Sequence, residues 1–208
     1  DDSLELAAGF PRSREELFAY RAVILGSIEA SFFTADQLRM LSDFVAVRGG
    51  GLLVLGGRRA LAEGGYSGTA LADVLPVELP AAGSDELLQD VEAIPTPSGS
   101  SHPAVQLAAS DSANAALWQA LPPLTVVNAV ERVKPGATVL LDGSVVDSRR
   151  KLPLLVVQRF GLGQVALFAT QDSWLWQMHA SVPVEDQSHE TFWRQLLLWL
   201  VSEVPDRL

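Results

Sequence analysis

The chain has 208 residues, 48% hydrophobic and 19% charged, with a formal net charge of −10. This is enough chain for one domain with a full core, and the acidic balance excludes a nucleic-acid phosphate partner, which needs a basic stripe. There is no cysteine, which excludes disulfides, thiolate nucleophiles and cysteine-ligated zinc.

No run of about 18 apolar residues is present, so no segment reads as a membrane-spanning helix. In chain order, Leu4-Glu5-Leu6 reads as a short edge strand. Residues 13–20 read as a brief helix, with Glu15 and Glu16 near its start, where the dipole favours them. Residues 21–26 are apolar enough for a strand buried on both faces. Thr34 and Gln37 then form a capping box, and Phe33 and Leu38 suit a hydrophobic staple. Leu38, Leu41, Phe44 and Val45 give the following helix an apolar face, and Gly49, Gly50 and Gly51 stop it. Leu52-Leu53-Val54-Leu55, between glycines, predicts a second buried strand. A strand–helix–strand unit with short links is almost always a right-handed parallel crossover.

Gly64-Gly65-Tyr66-Ser67-Gly68-Thr69 is a glycine-rich loop whose spacing fits no phosphate-cradle motif. A short helix over 69–74 follows, and then an extended segment, 74–79, that Pro76 marks as non-central. Residues 80–83 and 95–101 have loop composition. Residues 113–120 predict a helix, and 124–133 and 137–141 predict strands. Residues 152–160 and 164–170 predict a hairpin about Gly161-Leu162-Gly163. Ser188 is positioned to cap a last helix over 189–202.

The segments Ala22-Val23-Ile24-Leu25-Gly26, the helix from Thr34, Arg48 to Gly57, Gly64 to Thr69, Leu75-Pro76-Val77, His102-Pro103 and Gly161 to Trp174 carry a resemblance over nearly the whole chain. Together they resemble the class I glutamine amidotransferase-like superfamily. The closer likeness is to a catalytically degenerate branch found in larger bacterial membrane-anchored proteins. The resemblance implies a flavodoxin-like three-layer α/β fold, with a mainly parallel sheet and a C-terminal antiparallel hairpin. It implies a single domain over 1–208 with an irregular insertion around 75–135, excised from a longer chain. The family's first strand is then either a remnant at Leu4-Glu5-Leu6 or upstream of residue 1. The implied partners are other domains of the parent chain or separate proteins, with no nucleic acid, no direct membrane contact from this fragment and no cofactor.

In amidotransferases the strand matching 52–55 ends in a Gly-x-Cys-x-Gly elbow, and a later Phe-His-Pro-Glu stretch supplies the base and its orienter. On that pattern Gly56 matches the first glycine, Arg58 stands at the nucleophile and Ala60 at the second glycine. Ala169 replaces the His and Gln171 the Glu; a one-residue slip offers Thr170 and Asp172. The resemblance therefore implies a module without catalytic residues. The alternatives are a hydrolase or amidotransferase relative with relocated groups, using His179 or His102 with Asp172, and a small-anion sensor. The candidate ligand-binding residues are Arg58, Arg59, Glu63, Tyr66, Asp172, Trp174 and His179, with Asp172 expected to pair with one of the two arginines. Trp174 and Trp176 read as loop aromatics suited to a contact surface. His102, His179 and His189 lack metal-ligand spacing, so no metal site is expected.

Overall fold

The computed structural model describes residues 9–81, 86–130, 132–148 and 150–205. The expected strand at Leu4-Glu5-Leu6 lies outside them. The described elements begin with α1 (Arg14–Phe18), β1 (Ala22–Leu25), α2 (Ala35–Ala46), β2 (Gly51–Leu55) and α3 (Ala70–Val74). The middle of the chain supplies β3 (Leu87–Leu88), β4 (Val91–Pro95), α4 (Pro97–Ser100), α5 (Asp111–Ala120) and β5 (Val127–Asn128). Then come β6 (Thr138–Val145), β7 (Lys151–Phe160), β8 (Gly163–Phe168), α6 (Leu175–Met178) and α7 (Ser188–Ser202).

The strand–helix–strand unit forms as its sequence dictates. Thr34 Oγ1 accepts from the Gln37 N–H (3.1 Å), and Gln37 Oε1 accepts from the Thr34 N–H (2.9 Å), closing the capping box. Leu38, Leu41, Phe44 and Val45 are all buried. Gly49 takes φ +78°, and the Gly50 N–H reaches back to the Phe44 carbonyl (3.0 Å) to finish the helix. β1 and β2 pair in parallel, with Ile24 opposite Leu53. A Cβ on Gly50 would run into the Phe44 ring of α2; one on Gly51 would meet the Leu200 carbonyl of α7. Adjacent residues of an extended segment face opposite sides. The two helices therefore cover opposite faces of the sheet, giving three layers.

The main sheet has the order β1-β2-β8-β7-β6-β4. β2 and β8 are parallel, with Leu55 opposite Phe168. β8–β7, β7–β6 and β6–β4 are antiparallel. The sheet is thus mixed, not mainly parallel. The expected hairpin is present and is the reason: β8 enters from β7 through a tight turn, and a short turn can join only antiparallel neighbours. Phe160 pairs with Gly163, so the loop is the two residues Gly161-Leu162 and not three. Gly161 has φ +58°, the positive angle that a II′ turn needs at its first position. β1 was expected to be buried on both faces. It stands at an edge of the described sheet, and Ile24 is 46% exposed.

The stretch around 75–135 is woven into the core rather than set apart. β4, which composition alone did not mark, pairs with β6 and closes the sheet. β3 and β5 make a two-stranded sheet, and Val127 of β5 bridges Thr170 just past β8; separate bridges join Val91 of β4 to Leu124 and Val77 to Val133. The expected strand over 124–133 is reduced to Val127–Asn128 by these separate pairings. The loop expected at 95–101 contains α4, with Thr96 Oγ1 accepting from the Gly99 N–H (3.0 Å) and Pro97 at the first helical position. Ser188 lies inside α7 rather than capping it, and its N–H donates to Asp186 Oδ1 (2.7 Å). Trp176 is core, not surface. Its ring meets Trp118 and Phe192 edge-on at 5.4 Å each, and its Nε1 donates to the Pro122 carbonyl (3.1 Å).

Two substitutions check this packing. Gly51→Ala should cost about 1–3 kcal/mol, because the new methyl meets a backbone carbonyl that cannot yield. Thr34→Ala should cost about 1 kcal/mol through the lost cap. Urea unfolding should show a lower midpoint with unchanged slope for both.

Candidate functional site

β1, β2 and β8 run in one sense, so the residues following them emerge at one edge of the sheet, where ligand sites of open α/β sheets lie. Segments 26–33, 56–69 and 169–179 meet there. Arg58, Arg59, Glu63, Tyr66, Asp172, Trp174 and His179 are thus brought to the same end of the sheet.

The elbow after β2 is closed by its own chain. The Gly56 N–H donates to the Phe168 carbonyl (2.7 Å). The Gly57 N–H donates to Asn128 Oδ1 (2.6 Å), and Asn128 Nδ2 reaches back to the Gly57 carbonyl (3.4 Å). Asn128 is itself buried, and its backbone N–H donates to the Ala169 carbonyl (2.9 Å). Gly57 has φ +113°, and a Cβ there would strike the Gln171 side chain. A Cβ on Gly56 would strike Ala169 and Asn128. Sequence reasoning missed Asn128. The available signal was a lone amide in Val126-Val127-Asn128-Ala129, since a polar group in an apolar run must find partners once buried.

Asp172 is 4% exposed and does not pair with either arginine. Its Oδ2 accepts from the Thr125 N–H (2.7 Å), the Thr125 hydroxyl (2.6 Å) and the Val126 N–H (2.8 Å). The Thr170 hydroxyl lies between Asp172 Oδ1 and the Val126 carbonyl. The expected arginine–Asp172 pair is overturned because these uncharged donors reach the carboxylate first, from the strand-like segment that crosses the sheet edge. Arg59 instead faces Glu29 at 3.6 Å, and its backbone N–H donates to Glu63 Oε2 (2.9 Å). Among the described residues the exposed Arg58 makes no hydrogen bond or ion pair.

Tyr66 is buried, with its hydroxyl donating to the Ile28 carbonyl (2.9 Å) and its pKa pushed up to about 12 by burial. With the Ala30 N–H donating to the Gly64 carbonyl (2.7 Å), this turns the glycine loop toward the β1–α2 connection. His179 is exposed, its Nδ1 2.7 Å from Ser181 Oγ. Trp174, Met178, Val184 and Phe32 are all exposed at this end of the molecule. Among the described residues no group of three His, Asp or Glu could hold a metal, and no helix is long and apolar enough to cross a membrane.

The other two histidines are structural. His102 Nδ1 accepts from the Ala104 N–H (3.2 Å), and its ring meets Trp199 edge-on at 5.3 Å. His189 Nε2 accepts from Trp193 Nε1 (3.0 Å). Burial holds both pKa values below the usual histidine range.

Residues 3–202 match a family model described as "Putative glutamine amidotransferase". Two solved cytoplasmic proteins of Salmonella typhimurium share the fold. One is 22% identical with a TM-score of 0.72 and the other 25% identical with a TM-score of 0.68. Each alignment covers 92% of this chain and 76% of that one. A cold-adapted β-galactosidase from Rahnella sp. R3 matches at 16% identity and a TM-score of 0.51, over 89% of this chain and 23% of that enzyme. No curated protein matches.

The geometry separates two kinds of residue at this edge. Asn128→Leu strands the Gly57 N–H and should cost about 1–3 kcal/mol. Arg58→Ala should fall within about 0.5 kcal/mol of the parent, as exposed positions do. Paired urea titrations read both. The histidines add a pH dependence. Both folded pKa values lie below the unfolded one, so the unfolded chain binds more protons, and stability falls as pH drops from about 6.5 toward the folded values. Replacing His102 and His189 by Gln should flatten urea midpoints measured between pH 7 and pH 5, a window set by the unperturbed value.

Proposed function

This chain belongs to the glutamine amidotransferase-like family, and from that premise we propose that it is a non-catalytic binding or scaffolding module of a larger protein. The observation that carries this reading is the closed elbow. Where the superfamily's chemistry needs a nucleophile with a neighbouring base, this chain has Arg58 pointing to solvent and Ala169 buried beside Asn128. Arginine stays protonated and cannot attack a carbonyl. Of the carboxylates near the elbow's end, Glu63 accepts from the Arg59 N–H (2.9 Å), and Asp172 is held by Thr125, Val126 and the Thr170 hydroxyl. A general base must come within hydrogen-bond reach of the proton it takes, and Asp172 is buried beneath the groups that hold it.

The same edge is better suited to contact than to chemistry. Trp174 is 51% exposed and Met178 74% exposed, and Arg58 is exposed at the same end of the sheet. Exposed aromatic, methionine and arginine side chains are the types enriched at protein interfaces. The partner in this reading is another domain of the parent chain or a separate protein. The Rahnella enzyme, which contains a domain of this shape as 23% of its length, supports an embedded setting. Arg58 also favours a second reading, a small-anion sensor, because it has no charged partner among the described residues.

Purified protein should release no ammonia from glutamine, and Arg58→Cys should not restore release, since neither the base nor an open elbow returns with the thiol. Enzyme-dependent ammonia release by the parent chain would overturn the reading. For the sensor, phosphate and sulfate should raise the melting temperature of the parent chain but not of Arg58→Ala, because only a ligand held by the native state stabilises it.

A further inference from the structure

We propose that the groove between β4 and α5 binds an extended peptide segment carrying a lysine or arginine. This site is separate from the closed elbow and does not depend on the absence of catalysis there.

The groove is a cavity of ≈460 Å³ lined by residues that include Glu92, Ala93, Asp111, Asn114 and Trp118. Its floor is the outer edge of β4. Val91 exchanges both backbone hydrogen bonds with Leu124 on that edge (3.0 and 2.9 Å). Two residues on, Ala93 turns its N–H and carbonyl the same way, because backbone groups alternate sides along a strand. The opposite alternation is visible at Thr96, whose N–H donates to Leu140 of β6 (3.0 Å). Continuing the Val91–Leu124 register would place Pro122 opposite Ala93. Pro122 has no N–H, and its carbonyl is taken by Trp176 Nε1 (3.1 Å). The edge thus accepts a backbone at Val91 and is left open at Ala93, with no partner among the described residues.

A second polar group points to the same occupant. Asn114 is 3% exposed, and its Oδ1 accepts from the Leu107 N–H (2.7 Å). Its Nδ2 has no partner among the described residues, and the residue lines the groove. The site therefore offers an N–H and a carbonyl spaced for one residue of an added strand, and a further amide donor. This is how a sheet edge takes up a peptide. The charge is complementary to a basic side chain. Glu92 and Asp111 line the groove, no lysine or arginine among the described residues does, and the whole chain carries −10.

Amide-resolved NMR titration with Ac-Val-Lys-Val-NH₂ and Ac-Val-Glu-Val-NH₂ tests this. Saturable shifts at the Ala93 amide and the Asn114 side-chain amide are expected with the lysine peptide. Binding of the glutamate peptide should be at least about tenfold weaker. Ala93→Pro replaces the outward N–H by a ring carbon, at an edge position where proline is tolerated, and should abolish the shift at the Asn114 side-chain amide. Should that variant fold poorly, the double change Glu92→Gln and Asp111→Asn keeps the fold testable and should weaken the lysine peptide about tenfold. Absence of saturable shifts at Ala93, or equal binding of the two peptides, overturns the proposal.

Discussion

The close approach of three layers around β2 is the constraint on which the structure rests. Gly50 lies against the Phe44 ring from one side and Gly51 against the Leu200 carbonyl from the other. Neither position has room for a methyl group. Gly49, with φ +78°, provides the bend between α2 and this strand. α2, β2 and α7 are therefore fixed as a unit. Leu41, Phe44, Leu52, Leu53, Leu196 and Leu200, all fully buried, belong to the core of this unit. Close packing of this kind makes each such glycine irreplaceable, since an interior at crystal density has nowhere to move.

The same closeness continues past the end of β2 and decides the character of the site. Gly56 and Gly57 bring the backbone within reach of Asn128 and Gln171, and the elbow becomes a place where the chain binds itself. Asn128 and Asp172 perform related tasks at the same sheet edge. Each is a buried polar side chain that ties the 124–128 segment to a parallel strand's carboxyl end. A buried amide or carboxylate without partners would cost several kcal/mol, so their donors and acceptors are filled from the backbone. The hydrogen bonds of this polar cluster are thus made within the chain.

The mixed sheet has a consequence at its far side. Because β6, β7 and β8 follow one another through turns and β4 pairs antiparallel with β6, the sheet ends in an antiparallel edge. Natural edges are protected by proline, short length or a covering segment. β4 has all three in part: five residues, Pro95 at its end and Leu124 across Val91. The cover stops at Pro122, and the groove against α5 begins there.

The sequence by itself determined the local elements. The capping box at Thr34, the α2 stripe, the apolar run of β2, the α5 region and the β7–β8 hairpin were all legible, because caps, periodicity and turn residues act over a few positions. The identities at Arg58, Ala169 and Gln171, and the absence of cysteine, were likewise legible without a structure. Partner choice was decided only by the tertiary structure. Asp172 found Thr125 and Val126, forty-seven and forty-six residues away, rather than an arginine. Asn128 found Gly57 across seventy-one residues. Trp176 went inward while Trp174, two residues before it, stayed out. β4 joined the sheet without a signature strong enough to announce it. Each of these depends on which segments cross which sheet edge, and hydrogen bonding and burial are settled by that proximity, to which no local pattern of residues has access.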